Sequence, residues 1–427
     1  MTAPTFSGHT EAKITPEKIA ALQERVGSVR PANADGLPPF NIEAHADSIR
    51  HFVNGSGDDN PLFTNPAYAE KTRWGGVIAP PMYASQTMGL PDVVLKEGQK
   101  LPRLRDPLRG IHVFVSGTEH EFYQPLRPGD TLYRRSALFS VTEKRSAFGG
   151  GVSVHVRNRS IARNQRREPV QASYTLLIHT EREAAASAGK YREHKRPFYT
   201  PEMIAEIDAA YGNEYVRGAE PRYWEDVNVG DELPRMVRGP LMVVDIIGQH
   251  IAMGHGGYDI GPLKLGYKNR KRIPGFYIPN EWGFPDVSQR CHWDDAWAQA
   301  VGNPYAYDYF AMRDNWLAQY VVNWMGDDAW LWKFHSEMRR FNYVGDVQWF
   351  HGKVVNKYLT DEGTPAVDLE FWGQNQDGEV TCPSNGTVLL PSREKGLPRL
   401  PTPPEDIRLI AARGREVVDA ADYENDR

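Results

Sequence analysis

The chain has 427 residues, a formal net charge of −5, 40% hydrophobic residues and 25% charged ones. That length is too great for one small core and points to two domains, while the mild acidity and the lack of a basic stripe argue against nucleic acid as a partner. Two cysteines, Cys291 and Cys382, exclude a disulfide framework and fit a reducing compartment.

The opening "MTAPTFSGHTEAKITPEK" lacks the basic-then-apolar order of a secretory signal. No apolar run reaches the roughly 18 to 20 residues of a spanning helix, so a cytoplasmic protein with no membrane partner is expected. At Thr15, "TPEKIAAL" predicts a helix with Thr as its N-cap and Pro in its first turn. "GSGDDNPLF", Gly55 to Phe63, follows and aims Asp58 from a tight turn. Val152, Val154 and Val156 alternate as a strand does. "TEREAAASAGKYREHKRPF" reads as part of a linker spanning 184–220, after a first domain of 1–183. The second domain runs over 221–395. In it "WLAQYVVNWMG" puts Trp316, Leu317, Tyr320, Val321 and Trp324 on one helical face and stops at Gly326. Val367, Leu369 and Phe371 alternate after it. Residues 396–427 form a proline-rich arm ending in a short helix, read as a frayed tail.

The chain repeats itself. "TPEKIAAL" returns as "TPEMIAEI" at Thr200, an offset of 185 (200 − 15). "SIRHFVNGSGD", ending at Asp58, matches "DIIGQHIAMGH", ending at His255, at 197 (255 − 58). "FTNPAYA" from Phe63 matches "HWDDAWA" from His292 at 229 (292 − 63). "EFYQPLRPGDTL" from Glu121 matches "EMRRFNYVGDVQ" from Glu337 at 216 (337 − 121). Four weak matches in one order indicate a tandem duplication, with an insertion at 256–290 in the second copy. The fold class that follows is α+β, two antiparallel sheets each wrapping a central helix.

"SGDDNPLFTNPAYAEKTRWGGVIAPP" resembles the N-terminal half of MaoC-like dehydratases, relatives of R-specific enoyl-CoA hydratases. "PRYWEDVNVGDELPRMVRGP", from Pro221, looks like the segment opening the C-terminal half of their fused, double hot dog members. "FYQPLRPGDTL" and "FNYVGDVQWF" look like the Gly-Asp turn of each sheet, so the resemblance covers roughly residues 15–395. It implies a tandem hot dog fold, no cofactor, a homo-oligomer, and reversible hydration of a 2-enoyl-CoA thioester. In the family an Asp and a His hold one water, which adds to C3 while a proton goes to C2. Both groups must reach that water, and one must change protonation near neutral pH. A backbone N–H at the start of the central helix stabilises the charge on the thioester carbonyl.

Carried over residue by residue, the motif is split. Asp58, Asn60 and Pro61 match in the first half, but the His position holds Phe63. In the second half His292 matches, Trp293 and Asp294 follow it, and the Asp position holds His255. Three pairings rebuild a site: Asp286 with His292, His255 with His292, or Asp58 with His292 across the domain interface. Each residue also has a plainer reading. Asp58 can bond local backbone N–H groups, and His255 can close a helix. His255, His292 and Asp294 could ligate a metal, but their spacing demands none.

The insertion gathers Lys268, Arg270 and Arg272, which could clasp coenzyme A phosphates or simply be solvated. It also gathers Phe276, Tyr277, Trp282 and Phe284, which could wall an acyl pocket or pin the loop. Tyr309 lies where the family runs a loop into the central helix, whereas the first half has Pro80 and Pro81 there. A proline removes a donor, so chemistry is expected in the second half and acyl binding in the first, around Asn60 and Phe63. Two rival functions remain, an acyl-CoA thioesterase and a non-catalytic partner subunit that binds acyl-CoA.

Overall fold

The computed structural model describes residues 13–423 except 35, 37, 102–105, 110, 146–151, 182–193 and 255–262. His255 therefore lies outside the described residues. The first half contributes β1 (Leu90–Pro91), β2 (Val93–Leu95), β3 (His112–Phe122), β4 (Leu132–Arg145), β5 (Val152–Asn164) and β6 (Pro169–Thr180). The second contributes β7 (Glu232–Arg238), β8 (Tyr277–Pro279), β9 (Pro285–Val287), β10 (Trp330–Glu337), β11 (Gln348–Leu359), β12 (Pro365–Gln374) and β13 (Val380–Leu389). A final β14 (Glu416–Val418) follows in the C-terminal arm.

The two hot dog sheets are joined into one. Its order is β1-β4-β5-β6-β3-β10-β13-β12-β11-β7, antiparallel except for β1 on β4. At the seam β3 runs antiparallel to β10, with Lys333 opposite Glu121 and Glu337 opposite Gly117. A Cβ on Gly117 would lie 2.6 Å from the Ser336 carbonyl, so the close approach of the halves requires glycine there.

The sheet wraps the helix Phe310–Met325, in which every residue from Ala311 to Met325 is buried. Its polar residues are matched across the core. Asp314 accepts from Thr118 Oγ1 (2.7 Å) and Ser336 Oγ (2.5 Å), one on each side of the seam. The corresponding helix of the first half is far shorter, Tyr83–Thr87. Gly89 (φ +134) and Pro91 follow it, and Arg134 donates to the Ala84 and Met88 carbonyls where the helix ends.

The duplication is visible in the elements. Helix Ala46–Gly55 returns as Val243–Ala252, 197 residues on (243 − 46), and the two pack together. Asn65 caps Pro66–Ala69 as Asp294 caps Asp295–Ala300. Asp130 accepts from Arg127 N–H, and Asp346 from Tyr343 N–H, each at 2.9 Å. Thr15 and Thr200 cap the helices Pro16–Gln23 and Pro201–Gly212, the second of which lies within the expected linker.

The C-terminal arm is not a frayed tail. Helix Glu405–Arg413 packs on β5 and β6, where Ile407 joins Tyr123, Ile161 and Ala172. β14 then pairs in parallel with β2. Glu416 meets the buried Arg135 in an ion pair at 2.9 Å whose angle is not that of a hydrogen bond. Periodicity showed the helix but not its destination, because the receiving surface lies some 240 residues earlier in the chain.

Candidate functional site

His292 closes the short turn Ser288–His292, and two residues later Asp294 accepts from Trp297 N–H at 3.2 Å. Capping and turn together fix the imidazole against the end of the central helix. Its Nδ1 lies 2.9 Å from the Tyr307 carbonyl, which can only accept. The proton of the neutral ring is thus on Nδ1, and Nε2 is the acceptor nitrogen. The ring stacks on Tyr309 (centroids 4.0 Å, 27°) and meets Tyr307 edge-on at 4.6 Å. Tyr309 is the N-cap of Phe310–Met325, so the imidazole packs on the residue that opens a buried helix.

A second histidine reaches the same tyrosine. His250, buried on Val243–Ala252, has its ring 5.1 Å from Tyr309 and 6.2 Å from Trp293. Sequence reasoning chose His255 and missed His250. The signal was present: Ile246, Gln249, His250 and Met253 have the spacing of one helical face, and that face is buried.

Asp286 is not brought to the His292 ring. On β9 it accepts from Val287 N–H (2.8 Å) and pairs with Arg290 (2.9 Å), which also binds Asp294 and Glu281. Three carboxylates gather around one guanidinium, and Asp286 is committed there.

Asp58 lies toward the other end of the central helix. It accepts from Asn60 N–H (2.9 Å), and Asn60 in turn caps Leu62 and donates to Asn323 (3.4 Å). Asn323 donates to Glu214 (3.1 Å), which holds Arg238 through two bonds of 2.6 and 2.8 Å. Burial pushes the Asp58 carboxyl up to about 6 despite the opposing pull of Arg238. Asn323 is 14 residues beyond Tyr309 (323 − 309), roughly 20 Å along the helix. Asp58 and His292 thus belong to different ends, and Glu214 and Arg238 are partners that spacing could not suggest.

Phe63 stands two residues before its cap Asn65, as His292 does before Asp294. It lines an apolar cavity of about 50 Å³ with Trp74, Ile78, Pro80, Phe122 and Met325. This is the first half's counterpart of the His292 site, with phenylalanine in place of imidazole and proline where donors would be. Gln171 Oε1 reaches this cavity with no hydrogen-bond partner.

Lys268, Arg270 and Arg272 lie on helix Leu263–Arg272 of the insertion. The Arg270 guanidinium is 4.7 Å from the Phe284 ring, and Arg272 donates to Asn269 at 3.4 Å. Trp282 and Phe284 are exposed at the tip of the β8–β9 hairpin. A row of carboxamides runs from the Tyr309 end between the halves. Gln86 donates to the Ala311 carbonyl (3.1 Å) and accepts from Asn315 (2.9 Å), and Gln319 follows one turn on. Asn315 Oδ1, Gln319 Oε1 and both amide atoms of the buried Gln249 have no hydrogen-bond partner.

Residues 37–173 match the family model of the FAS1-like dehydratase domain region. A solved MaoC-like dehydratase superposes with a TM-score of 0.56 over 86% of this chain and 99% of its own, at 17% identity. The chain has the double hot dog fold of the MaoC-like dehydratases. A UPF0336 protein of Streptomyces avermitilis is 28% identical over 108 residues, 24% of this chain and 67% of that protein. The family model covers the part of the chain that contains Asp58 and Phe63 and stops short of His292.

Proposed function

We propose that this MaoC-like chain hydrates and dehydrates a 2-enoyl/3-hydroxyacyl thioester, with coenzyme A as the thiol, at the Tyr309 end of the central helix. One observation carries the reading. An imidazole whose Nδ1 is held by a carbonyl stacks on the N-cap of a buried helix. Water attacks C3 of the enoyl group as His292 Nε2 takes its proton. Negative charge grows on the thioester oxygen, where first-turn N–H groups can meet it. C2 then takes a proton from His250 acting as the acid, and the two histidines exchange roles in dehydration. The unpartnered amide oxygens of Asn315 and Gln319 favour an acyl group that carries hydrogen-bond donors over a bare alkyl chain.

The test is an absorbance assay of the purified protein on straight-chain, branched and oxygenated 2-enoyl-CoA thioesters, with free thiol followed in parallel. Loss of enoyl absorbance without thiol is expected, whereas thiol release would make the protein a thioesterase. His292→Ala should lower turnover by roughly 10²- to 10⁴-fold with the fold intact. His250→Ala and Asp286→Asn, compared side by side, should separate the partner from the bystander, with the larger loss at His250.

A further inference from the structure

The second half carries an outer surface that its duplicated partner lacks. Helix Ala46–Gly55 exposes Asp47, His51 and Asn54. At the same positions 197 residues on (244 − 47), helix Val243–Ala252 exposes Val244, Gly248 and Ile251, with Val244 72% and Ile251 59% accessible. One helix of the pair has exchanged a polar outer face for an apolar one. The insertion adds more. Leu263 is 92% exposed, Trp282 79% and Phe284 54%.

Basic residues approach two of the insertion's rings. Arg270 lies over the Phe284 ring at 4.7 Å and 5.8 Å from that of Tyr267, which Lys271 also approaches at 5.8 Å. These contacts tie the basic helix Leu263–Arg272 and the hairpin tip into one patch. The buried face of Val243–Ala252 brings His250 to Trp293, in the segment that follows the hairpin. Helix Val243–Ala252 thus packs by its inner face on the segment that carries the hairpin.

An apolar surface of this kind left in water marks a site of interaction. Exposed Trp, Phe and Leu beside Lys and Arg is the composition of a surface that sits at the boundary of a bilayer. The chain as a whole carries −5, so the cluster is a local positive field, suited to an anionic surface. A second copy of the chain, docked through this patch about a twofold axis, would set like charge against like. No described helix is long and apolar enough to cross a membrane.

We propose that helix Leu263–Arg272 and the β8–β9 hairpin, with the outer face of Val243–Ala252, dock the protein on an anionic lipid surface and present the His292 end to it. The experiment is flotation of the full-length protein with phosphatidylcholine vesicles, with and without phosphatidylglycerol. Binding is expected only with phosphatidylglycerol, and it should weaken as salt rises. Lys268→Gln and Lys271→Gln should each lower the partition roughly five-fold. Trp282→Ser with Phe284→Ser should lower it further, and none of these surface changes should alter the melting curve. No partition at low salt, equal partition on neutral vesicles, or variants that bind like the parent would overturn the proposal. So would release by free coenzyme A, tighter binding to duplex DNA at the same salt, or a dimer that these substitutions dissociate. Every readout is binding, so the result is independent of whether the proposed hydration is correct.

Discussion

The crossing of the duplicated helices sets the position of His250 and can be perturbed with one methyl group. A Cβ on Gly55 would lie 2.4 Å from Ala252 Cβ and 3.4 Å from the Gly248 carbonyl. Two methyl carbons settle at about 3.5 to 4.0 Å, so Gly55→Ala must part the helices by more than 1 Å. Overpacking of this kind costs about 1–3 kcal/mol, partly offset by up to about 1 kcal/mol from the better helix propensity of Ala. A net loss of about 1–2 kcal/mol is expected in urea denaturation. Turnover should suffer more than stability. The displaced helix carries His250, and a shift of 1 Å at a reacting group can cost about 100-fold. The reciprocal variant Gly55→Ala/Ala252→Gly moves the methyl to the other helix and should restore both quantities. Gly55→Ala with wild-type turnover, or a double variant no better than the single one, would refute the link between this crossing and the site.

Three further outcomes follow. Asp314 is buried at the seam, and burial pushes its carboxyl up to about 6. Below about pH 4 both states carry the proton; between about pH 4 and 6 only the unfolded chain loses it, so stability falls as pH rises. Asp314→Asn should remove about 3 kcal/mol of that fall, measured as the difference between denaturation midpoints at pH 4 and pH 7; parallel profiles would show that Thr118 and Ser336 compensate fully. Phe63→Ala should cost about 3–5 kcal/mol by enlarging the first-half cavity, and should change acyl affinity more than turnover. Glu416→Ala leaves the buried Arg135 with Asp92 alone, 3.6 Å away, and should cost about 1–2 kcal/mol in a thermal melt, since Glu416 itself is partly exposed.

Local order was written into the chain. The duplicated caps at Thr15 and Thr200, the Gly-Asp turns at Asp130 and Asp346, and the pairing of Phe63 with His292 all depend on neighbours within a few residues. So does the matched pair of helices ending at Gly55 and Ala252. Spacing and composition suffice for such features, and a second copy of each removes the ambiguity of a weak match.

Partnership was decided only in three dimensions. Asp286 looked well spaced from His292, but spacing does not report that Arg290 holds its carboxylate. Asp58 looked catalytic, but its loop runs toward Asn323 and the Glu214–Arg238 pair at the other end of a helix. His250 carried no motif, and only the packing of its helix against Tyr309 brought it to the site. Each half was expected to hold a central helix, and that of the first half is only five residues long, with Arg134 from β4 bound to the carbonyls at its end. The C-terminal arm likewise found its surface on β5 and β6. Except for Asp286, whose partner Arg290 is four residues on, the deciding group lies far away in the chain, and a side chain's charge, burial and orientation are set by what folding brings beside it.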